Sequence, residues 1–394
     1  LTLPGGFIAD RWLGRYKTIV YFSIPYIFGH ILLGGTHIPI FIYCALFLLA
    51  TGSGTIKPSC SPLMGMIYEK EKKDALLPEA FSYYYLAINI GSVLSNAALP
   101  NVRDYFLPKS GVWTPHARSI AYQVALAFPT VLMVIALAVF AVGKRYYPVE
   151  KVTERPPKTE EQKKAERATL ARIGGVFLLI IFWWFVYDMQ ADIWIYFTRD
   201  HVNLTLWPFN LAPFNLSPLK PEMQWVNPAL IILFTPLFNW HWNRVKKRRG
   251  GVAVPTPQKM LFGFVLTLVT VVLLTGMAFA ASKGIRISVW WMILAIALIT
   301  YAELAISMLG LLFAYEQAEP GTKSFVTALF LLTVFAGDTL GAFYANLYEH
   351  PLSPTQYFGL QIVLMAACTV IFAFVSRRFD RQTKLNDSSL SAAA

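Results

Sequence analysis

Three ionisable side chains, Lys57, Glu303 and Asp188, lie inside long apolar stretches of the sequence. A charge at membrane depth is costly unless it is paired, solvated or functional. At about 1.5 Å per helical residue, Lys57 lies roughly 28 Å and Glu303 roughly 21 Å from the outer end of its segment. These depths allow an ion pair that protonation of the carboxylate would open. The alternatives are a static pair, or Lys57 extending along its stem to the cytoplasmic face.

Further acidic residues accompany these three. Asp192 follows Asp188 by one predicted helical turn, and two carboxylates so close in a low dielectric repel each other, which favours a bound proton. Alternatively, Asp192 lies in bulk water at the mouth of the segment. Asp338 also lies at membrane depth. The sequence indicates no partner for it, and we interpret it as a pore or packing residue.

The composition places the chain in a membrane. Of its 394 residues, 56% are hydrophobic and only 14% are charged, and the mean hydropathy is +0.50, which is too apolar for a soluble domain. The net charge of +12 comes from short basic clusters between apolar segments, so it indicates membrane topology and argues against a nucleic-acid partner. The sequence has no arrangement typical of a catalytic nucleophile, a metal cluster or a phosphate-binding loop. We therefore expect no enzyme activity, no metal and no cofactor.

Ten segments have the length and apolar character of membrane-spanning helices, which need about 17–25 residues. They predict an all-α membrane protein. When the loop around Gly14 is placed in the cytoplasm, most of the 34 Lys and Arg residues fall on that side, as the positive-inside rule requires. The predicted spans are Thr18–Leu33, Ile38–Tyr68, Ala80–Leu99, Ala121–Val142, Ile173–Phe197, Val226–Trp242, Met260–Ala281, Val289–Tyr315, Phe325–Leu347 and Tyr357–Val375.

Several short motifs are more specific than the composition. They are the loop Gly5 to Ile19 with Gly5, Gly6, Asp10, Arg11, Gly14 and Arg15; Gly54-Thr55-Ile56-Lys57-Pro58; Tyr84 to Ser92 with Asn89; Trp184, Asp188 and Gln190; Asn227-Pro228; and Glu303. Together they resemble the motifs of the proton-dependent oligopeptide transporter family, a branch of the major facilitator superfamily. The resemblance extends over nearly the whole chain.

This resemblance implies the major facilitator superfamily fold of two helical bundles, with helix 1 and most of helix 2 lacking from the chain. The expected domains are an N-terminal bundle at 1–143 (end of helix 2 to helix 6), a cytoplasmic linker at 144–172, a C-terminal bundle at 173–376 (helices 7 to 12) and a cytoplasmic tail at 377–394. In the family, helix 1 supplies the usual counter-charge of the helix 7 acid. Asp188 is therefore expected to lack that partner.

The resemblance also implies roles for the charged and amide residues. Lys57 and Glu303 would bind the carboxyl and amino ends of a peptide, and both would take part in proton coupling. Asn89 and Asn227 would hydrogen-bond the peptide backbone, and Asp188 would belong to the outer gate and the proton route. The residue types suit these roles, because opposite charges complement a zwitterion and amides complement its peptide bond.

The remaining site residues are aromatic or belong to the loop. Tyr84 and Trp184 would line side-chain pockets, and Arg11 and Arg15 would shape the cytoplasmic loop. The expected function is proton-coupled symport of di- and tripeptides by alternating access, with the peptide, protons and the lipid bilayer as partners, at the plasma membrane. The alternatives are a nitrate or other small-solute carrier of the same superfamily, for which Glu303 would be unfavourable, and a non-transporting sensor or truncated product.

Overall fold

The computed structural model describes residues 1–36, 38–107, 114–148, 150, 152, 159–203 and 226–393, without the side chains of residues 97, 100, 115, 165 and 379–393. Within the predicted 144–172 linker, residues 149, 151 and 153–158 lie outside the described residues. The same holds for residue 394 of the predicted tail.

The described chain is almost entirely helical, as its apolar segments predict. Two short strands, β1 Val202–Asn203 and β2 Ile287–Ser288, pair in parallel. The helices are α1 Thr2–Ile8, α2 Arg15–Gly35, α3 Pro39–Lys70, α4 Leu77–Tyr105, α5 Pro115–Val142, α6 Glu160–Asp188, α7 Ile193–His201, α8 Val226–Arg248, α9 Thr256–Ser282, α10 Val289–Glu303, α11 Leu309–Gln317, α12 Lys323–Ala345 and α13 Pro354–Ala393.

Eight helical stretches of the described chain are long and apolar enough to cross a membrane, and they confirm eight of the ten predicted spans. The other two predicted spans form helices at the expected places, α4 and α8, but these do not reach the same hydropathy. Polar residues account for the difference, among them Asn89 on α4 and Asn227 on α8. The two less apolar helices are thus the ones that carry the predicted amide groups of the site.

Residue contacts divide the chain into two compact units. The first unit comprises Leu1–Tyr84, Gly91–Leu170 and Ala314–Leu332, and the second comprises Tyr85–Ile90, Ala171–Phe313 and Thr333–Ala394. Two segments, Tyr85–Ile90 and Ala314–Leu332, are therefore grouped apart from their neighbours in the sequence. The domain boundaries drawn from the sequence stay a prediction.

Two interruptions of long helices fall beside predicted site residues. Helix α10 ends at Glu303 and continues through a π-helical turn, Leu304–Met308, into α11; turns of this kind are frequent at functional sites. Helix α6 ends at Asp188, and the short 3₁₀ turn Met189–Ala191 follows it. The backbone breaks again at Asp192, where φ is −133°. The prediction that Asp192 lies one turn further along the same helix as Asp188 is therefore wrong.

Candidate functional site

The Glu303 carboxylate is the centre of a buried polar cluster in the second unit, and the residue is only 5% exposed. The Tyr85 hydroxyl donates to its Oε1 over 2.5 Å, and the Tyr187 hydroxyl donates to its Oε2. The Asn227 amide donates to Oε2 over 2.9 Å and to the Thr300 hydroxyl over 3.1 Å. All three donors to the carboxylate are neutral, so they satisfy its hydrogen bonding without cancelling its charge.

Four helices bring these groups together. Tyr85 comes from α4, Tyr187 from the last turn of α6, Asn227 from the first turn of α8, and Glu303 from the end of α10. The π-helical turn after Glu303 inserts an extra residue into the helix, which changes the direction of the side chains on either side of it. The Glu303 carboxylate therefore lies where α10 gives way to a π-helical turn.

The other predicted site residues of the second unit lie near this cluster but make different contacts. Asn89 is buried, and its side-chain amide donates to the Tyr85 carbonyl over 2.9 Å. Trp184 packs edge-on against Tyr187, with ring centroids 5.3 Å apart. Its buried indole N–H finds no acceptor among the described residues. Asn89 therefore supports the Tyr85 backbone, and Trp184 supports the Tyr187 ring.

Asp188 lies beside the carboxyl group of Asp338, which is the neighbour that the sequence did not indicate for Asp338. The helices α6 and α12 approach closely at Gly337, where an added Cβ would lie 2.9 Å from both the Ile181 carbonyl oxygen and the Phe185 nitrogen. This approach sets the neighbouring Asp338 against α6. One carboxylate oxygen of Asp188, Oδ2, is buried and has no hydrogen-bond partner in the described part of the chain.

Lys57 belongs to the first unit, on α3, and its side chain is exposed. The described residues offer it no hydrogen bond or ion pair. Tyr84 also belongs to the first unit and is half-buried, although its neighbour Tyr85 belongs to the second. A meeting of Lys57 with Glu303 stays a prediction.

Arg15 is the centre of a second buried cluster, at the loop motif of the first unit. Its guanidinium is fully buried and donates over 2.6 Å to Asp10 Oδ1 and over 2.9 Å to Glu150 Oε2. Its Nε donates over 2.9 Å to the Ser324 hydroxyl, and its backbone N–H donates over 3.2 Å to Glu150 Oε1. Of the two arginines that the sequence assigned to this loop, Arg15 is therefore the structural one, whereas Arg11 is exposed.

Asp10 connects the loop motif to the beginning of α12. Its carboxylate accepts from the backbone N–H groups of Ser324 over 3.3 Å and Phe325 over 2.8 Å. These amides lie in the first helical turn, where they lack partners within the helix and favour a negative charge. Burial raises the pKa of the Asp10 carboxyl above its ordinary value, while Arg15 and these two amides act in the opposite direction. Asp10 thus bridges a cation and a helix N-terminus.

The predicted glycines of the loop motif allow this arrangement. Gly14 has a φ of 76°, which a side chain would disfavour, and it lets the chain turn between the π-helical turn Ala9–Leu13 and α2. An added Cβ at Gly5 would lie 2.7 Å from the Gly54 carbonyl oxygen, and one at Gly6 would lie 2.7 Å from that of Ser324. The absence of a side chain is therefore required at all three positions.

Enlarging Gly6 tests this close approach. We expect Gly6→Val to destabilise the protein by about 1–3 kcal/mol, because the backbone of Ser324 cannot move aside as a flexible side chain can. Thermal unfolding of the purified chain followed by tryptophan fluorescence measures the change. Gly35→Val is the matched control, since a Cβ at Gly35 meets nothing within 4 Å. Equal melting temperatures for the two variants would contradict the packing argument.

The helical segments define an all-α, multi-pass integral membrane protein, and its fold is that of the major facilitator superfamily. The model of one protein family, described as the POT family, matches residues 16–160 and 149–357. The chain therefore belongs to the POT family.

Individual relatives agree with this assignment. Human Solute carrier family 15 member 2 is 28% identical over 331 residues, which cover 72% of this chain but only 41% of the human protein. Dipeptide and tripeptide permease A of Klebsiella pneumoniae (strain 342) is 25% identical over 449 residues, covering 100% of this chain and 84% of the permease. The in meso crystal structure of the POT family transporter PepTSo is similar in fold, with a TM-score of 0.68 at 24% identity over 97% of this chain and 87% of that chain.

Sequence reasoning missed several residues of both clusters. Tyr85 and Tyr187 are the donors to Glu303, and Glu150 and Ser324 are partners of Arg15. Tyr85 follows two other tyrosines in the sequence, which could have suggested a polar contact. Successive residues of a helix point about 100° apart, however, so the sequence could not select which of the three tyrosines makes it. Glu150 lies 135 residues from Arg15, and no local pattern connects the two.

Proposed function

We propose that the chain carries di- and tripeptides across a membrane together with protons, by alternating access. The buried Glu303 carboxylate is the observation that carries this proposal. Its hydrogen-bond donors Tyr85, Tyr187 and Asn227 are neutral, and a buried charge without a counter-charge is costly. A proton or the ammonium end of a peptide would each neutralise it, so binding of the two can be coupled at one carboxylate.

The peptide would be held through both ends. Glu303 would bind the amino end, and Lys57, exposed on α3, would bind the carboxylate end. Asn227 already donates to Glu303 over 2.9 Å, and with Asn89 it would turn to the peptide backbone. The amide of Asn89 now donates to the Tyr85 carbonyl, so its side-chain oxygen would take the first contact with a peptide N–H.

Aromatic residues would form the walls of the side-chain pockets. Trp184, packed against Tyr187, would present a rigid apolar surface, and Tyr84 would contribute from the first unit. Surfaces of this kind accept many side-chain shapes, because they bind by burial of apolar area with few directional contacts. Broad acceptance of peptide sequences is the expected consequence.

Asp188 would take part in the proton route and the outer gate. It faces Asp338 and has a buried oxygen without a hydrogen-bond partner among the described groups. Two carboxyl groups in contact in a low dielectric cannot both carry a charge cheaply, so the pair would hold one proton between them. Protons are thus the coupling ion of the proposal, and the host membrane we propose is the plasma membrane.

The proposal is tested with the purified chain reconstituted into lipid vesicles. A labelled dipeptide should accumulate when the outside is acidic, and the accumulation should collapse when a protonophore dissipates the gradient. Labelled nitrate under the same gradient should not accumulate, because the Glu303 carboxylate repels an anion. Accumulation of nitrate without that of dipeptide would support the small-anion carrier, and accumulation of neither would contradict the proposal.

Lys57→Ala tests the carboxylate end of the peptide. We expect the variant to take up the free dipeptide roughly tenfold more slowly or worse, because a charge pair with the substrate is lost. A dipeptide amide, which lacks the carboxylate, should be transported slowly by both the wild type and the variant. Initial uptake rates of the two substrates by the two proteins form a double-mutant cycle.

The matched control is Lys70→Ala, since Lys70 is an exposed lysine in the last turn of the same helix. It should keep the wild-type preference for the free dipeptide. If Lys57→Ala lowers uptake of the amide as strongly as that of the free peptide, Lys57 does not bind the carboxylate.

A further inference from the structure

A small cavity lies within the first unit, at the loop-motif end of α2 and α5. Its volume is about 150 Å³, and its lining includes Gly14, Tyr16, Lys17, Lys144, Tyr147 and Glu150. Pockets for drug-sized ligands occupy about 300–1,000 Å³, so this cavity is too small for a nucleotide or a peptide. It is of a size for one compact polar group.

The cavity is built from aromatic rings with lysines at its edge. Tyr16 stacks on Phe140 with ring centroids 5.4 Å apart, and Phe140 stacks on Tyr147 at 4.8 Å. The Lys144 ammonium lies 5.9 Å from the centre of the Tyr16 ring. Lys17 and Lys144 are both exposed, and neither forms an ion pair with another described residue. The ammonium groups of Lys17 and Lys144 therefore lie at the same cavity, and neither is paired with a carboxylate of the described residues.

Glu150 is the one acidic residue of this lining, and its carboxylate is paired with Arg15. Both of its carboxylate oxygens accept hydrogen bonds from Arg15, one from the guanidinium over 2.9 Å and one from the backbone N–H over 3.2 Å. The Arg15 guanidinium also binds Asp10, so the Asp10–Arg15–Glu150 cluster has a net charge of −1, and Lys17 and Lys144 with their two positive charges exceed it. The electrostatic character of the cavity is set by Lys17 and Lys144, which favour an anion.

The position of the cavity indicates which anion. The apolar stretch of α2 begins at Arg15, and the stretch that contains α5 ends at Tyr146. The cavity therefore lies where both apolar stretches end, which is the position expected for a membrane surface. The distribution of basic residues assigns this end to the cytoplasm, where membranes carry anionic lipids. Tyrosine rings beside lysines at this depth are suited to a lipid headgroup, whose acyl chains would extend along the exposed apolar surface of α5.

We propose that this cavity binds the phosphate of an anionic phospholipid. Lys17 and Lys144 would bind the phosphate oxygens, and the Tyr16 and Tyr147 rings would form the wall that excludes water from one side. The site lies beside the Arg15–Glu150 pair, so a bound headgroup would also stabilise the loop motif. This proposal does not depend on the proposed transport function.

The test is native mass spectrometry of the full chain in detergent, with phosphatidylglycerol or phosphatidylcholine added as the probe. We expect the wild type to retain phosphatidylglycerol in preference. The double variant Lys17→Gln/Lys144→Gln should bind it roughly 30-fold more weakly, since each lysine near the surface is worth about a factor of five. Lys17→Arg/Lys144→Arg should keep the binding, because the charges remain. Lys246→Gln/Lys247→Gln, which removes two exposed lysines at the end of α8, should also keep it.

Three results would overturn the proposal. One is equal retention of phosphatidylglycerol by the wild type and the Lys17→Gln/Lys144→Gln variant. A second is equal retention of both lipids by the wild type. The third is a melting temperature of the wild type that rises with millimolar inorganic phosphate while phosphatidylglycerol does not bind, which would identify free phosphate as the ligand. A correctly folded double variant is shown by a melting temperature equal to that of the Lys246→Gln/Lys247→Gln control.

Discussion

Replacing Glu303 by glutamine is expected to abolish proton-driven accumulation of a labelled dipeptide, lowering it by roughly 30-fold or more. That factor corresponds to the loss of about 2 kcal/mol or more from one buried charged contact. The glutamine side chain could not take up a proton, and it would present no negative charge to the peptide's ammonium group. Uptake into vesicles under an inward proton gradient measures the effect.

Exchange of labelled for unlabelled dipeptide without a gradient separates coupling from binding in this variant. A residual exchange with no accumulation would assign Glu303 to proton coupling alone, and loss of both would assign it also to binding of the amino end. An N-acetylated dipeptide distinguishes these further, because it lacks the ammonium group. Its exchange without a gradient should be low in the wild type and unchanged in Glu303→Gln.

Glu79→Gln is the control for the loss of one carboxylate, since Glu79 is exposed in the first turn of α4. We expect it to accumulate dipeptide as the wild type does. Full accumulation by Glu303→Gln under the same gradient would refute the central step of the proposed mechanism.

The second large effect is expected on stability, from Arg15→Leu. Removal of the guanidinium leaves Asp10 and Glu150 buried without their cation, and breaking a buried ion pair in this way costs about 3–5 kcal/mol. The Ser324 hydroxyl would also lose its donor. Thermal unfolding of the purified chain should show a marked decrease in melting temperature.

Two further variants test whether the loss of stability is specific to the buried guanidinium of Arg15. Arg11→Leu, at the exposed arginine of the same loop, should change the melting temperature little, as surface substitutions usually do. Arg15→Lys keeps the charge but offers one nitrogen in place of the three that donate to Asp10, Glu150 and Ser324, so its melting temperature should lie between those of the wild type and Arg15→Leu. Equal stability of Arg11→Leu and Arg15→Leu would show that the buried cluster does not hold the loop to α12.

Much of the fold could be predicted because length and apolarity are local properties of the sequence. Helical structure lies at all ten places where the apolar segments predicted it, and eight helical stretches of the described chain meet the length and hydropathy of a membrane span. The glycine requirement of the loop motif was also predictable, since Gly5 and Gly6 left room for a close approach that the structure shows. The helix break between Asp188 and Asp192 could not be predicted, because no proline or glycine marks it in the sequence.

The sequence by itself determined that the chain is a membrane protein and which charged residues lie inside the apolar segments, because repeated runs of about 20 apolar residues are more stable in lipid than in water. Only the tertiary structure decided which groups meet. It selected Tyr85 and Tyr187 as the donors to Glu303, and it brought Asp338 to Asp188. These partners lie on different helices, and the rotation of each helix about its axis is set by packing against its neighbours, which no single segment contains.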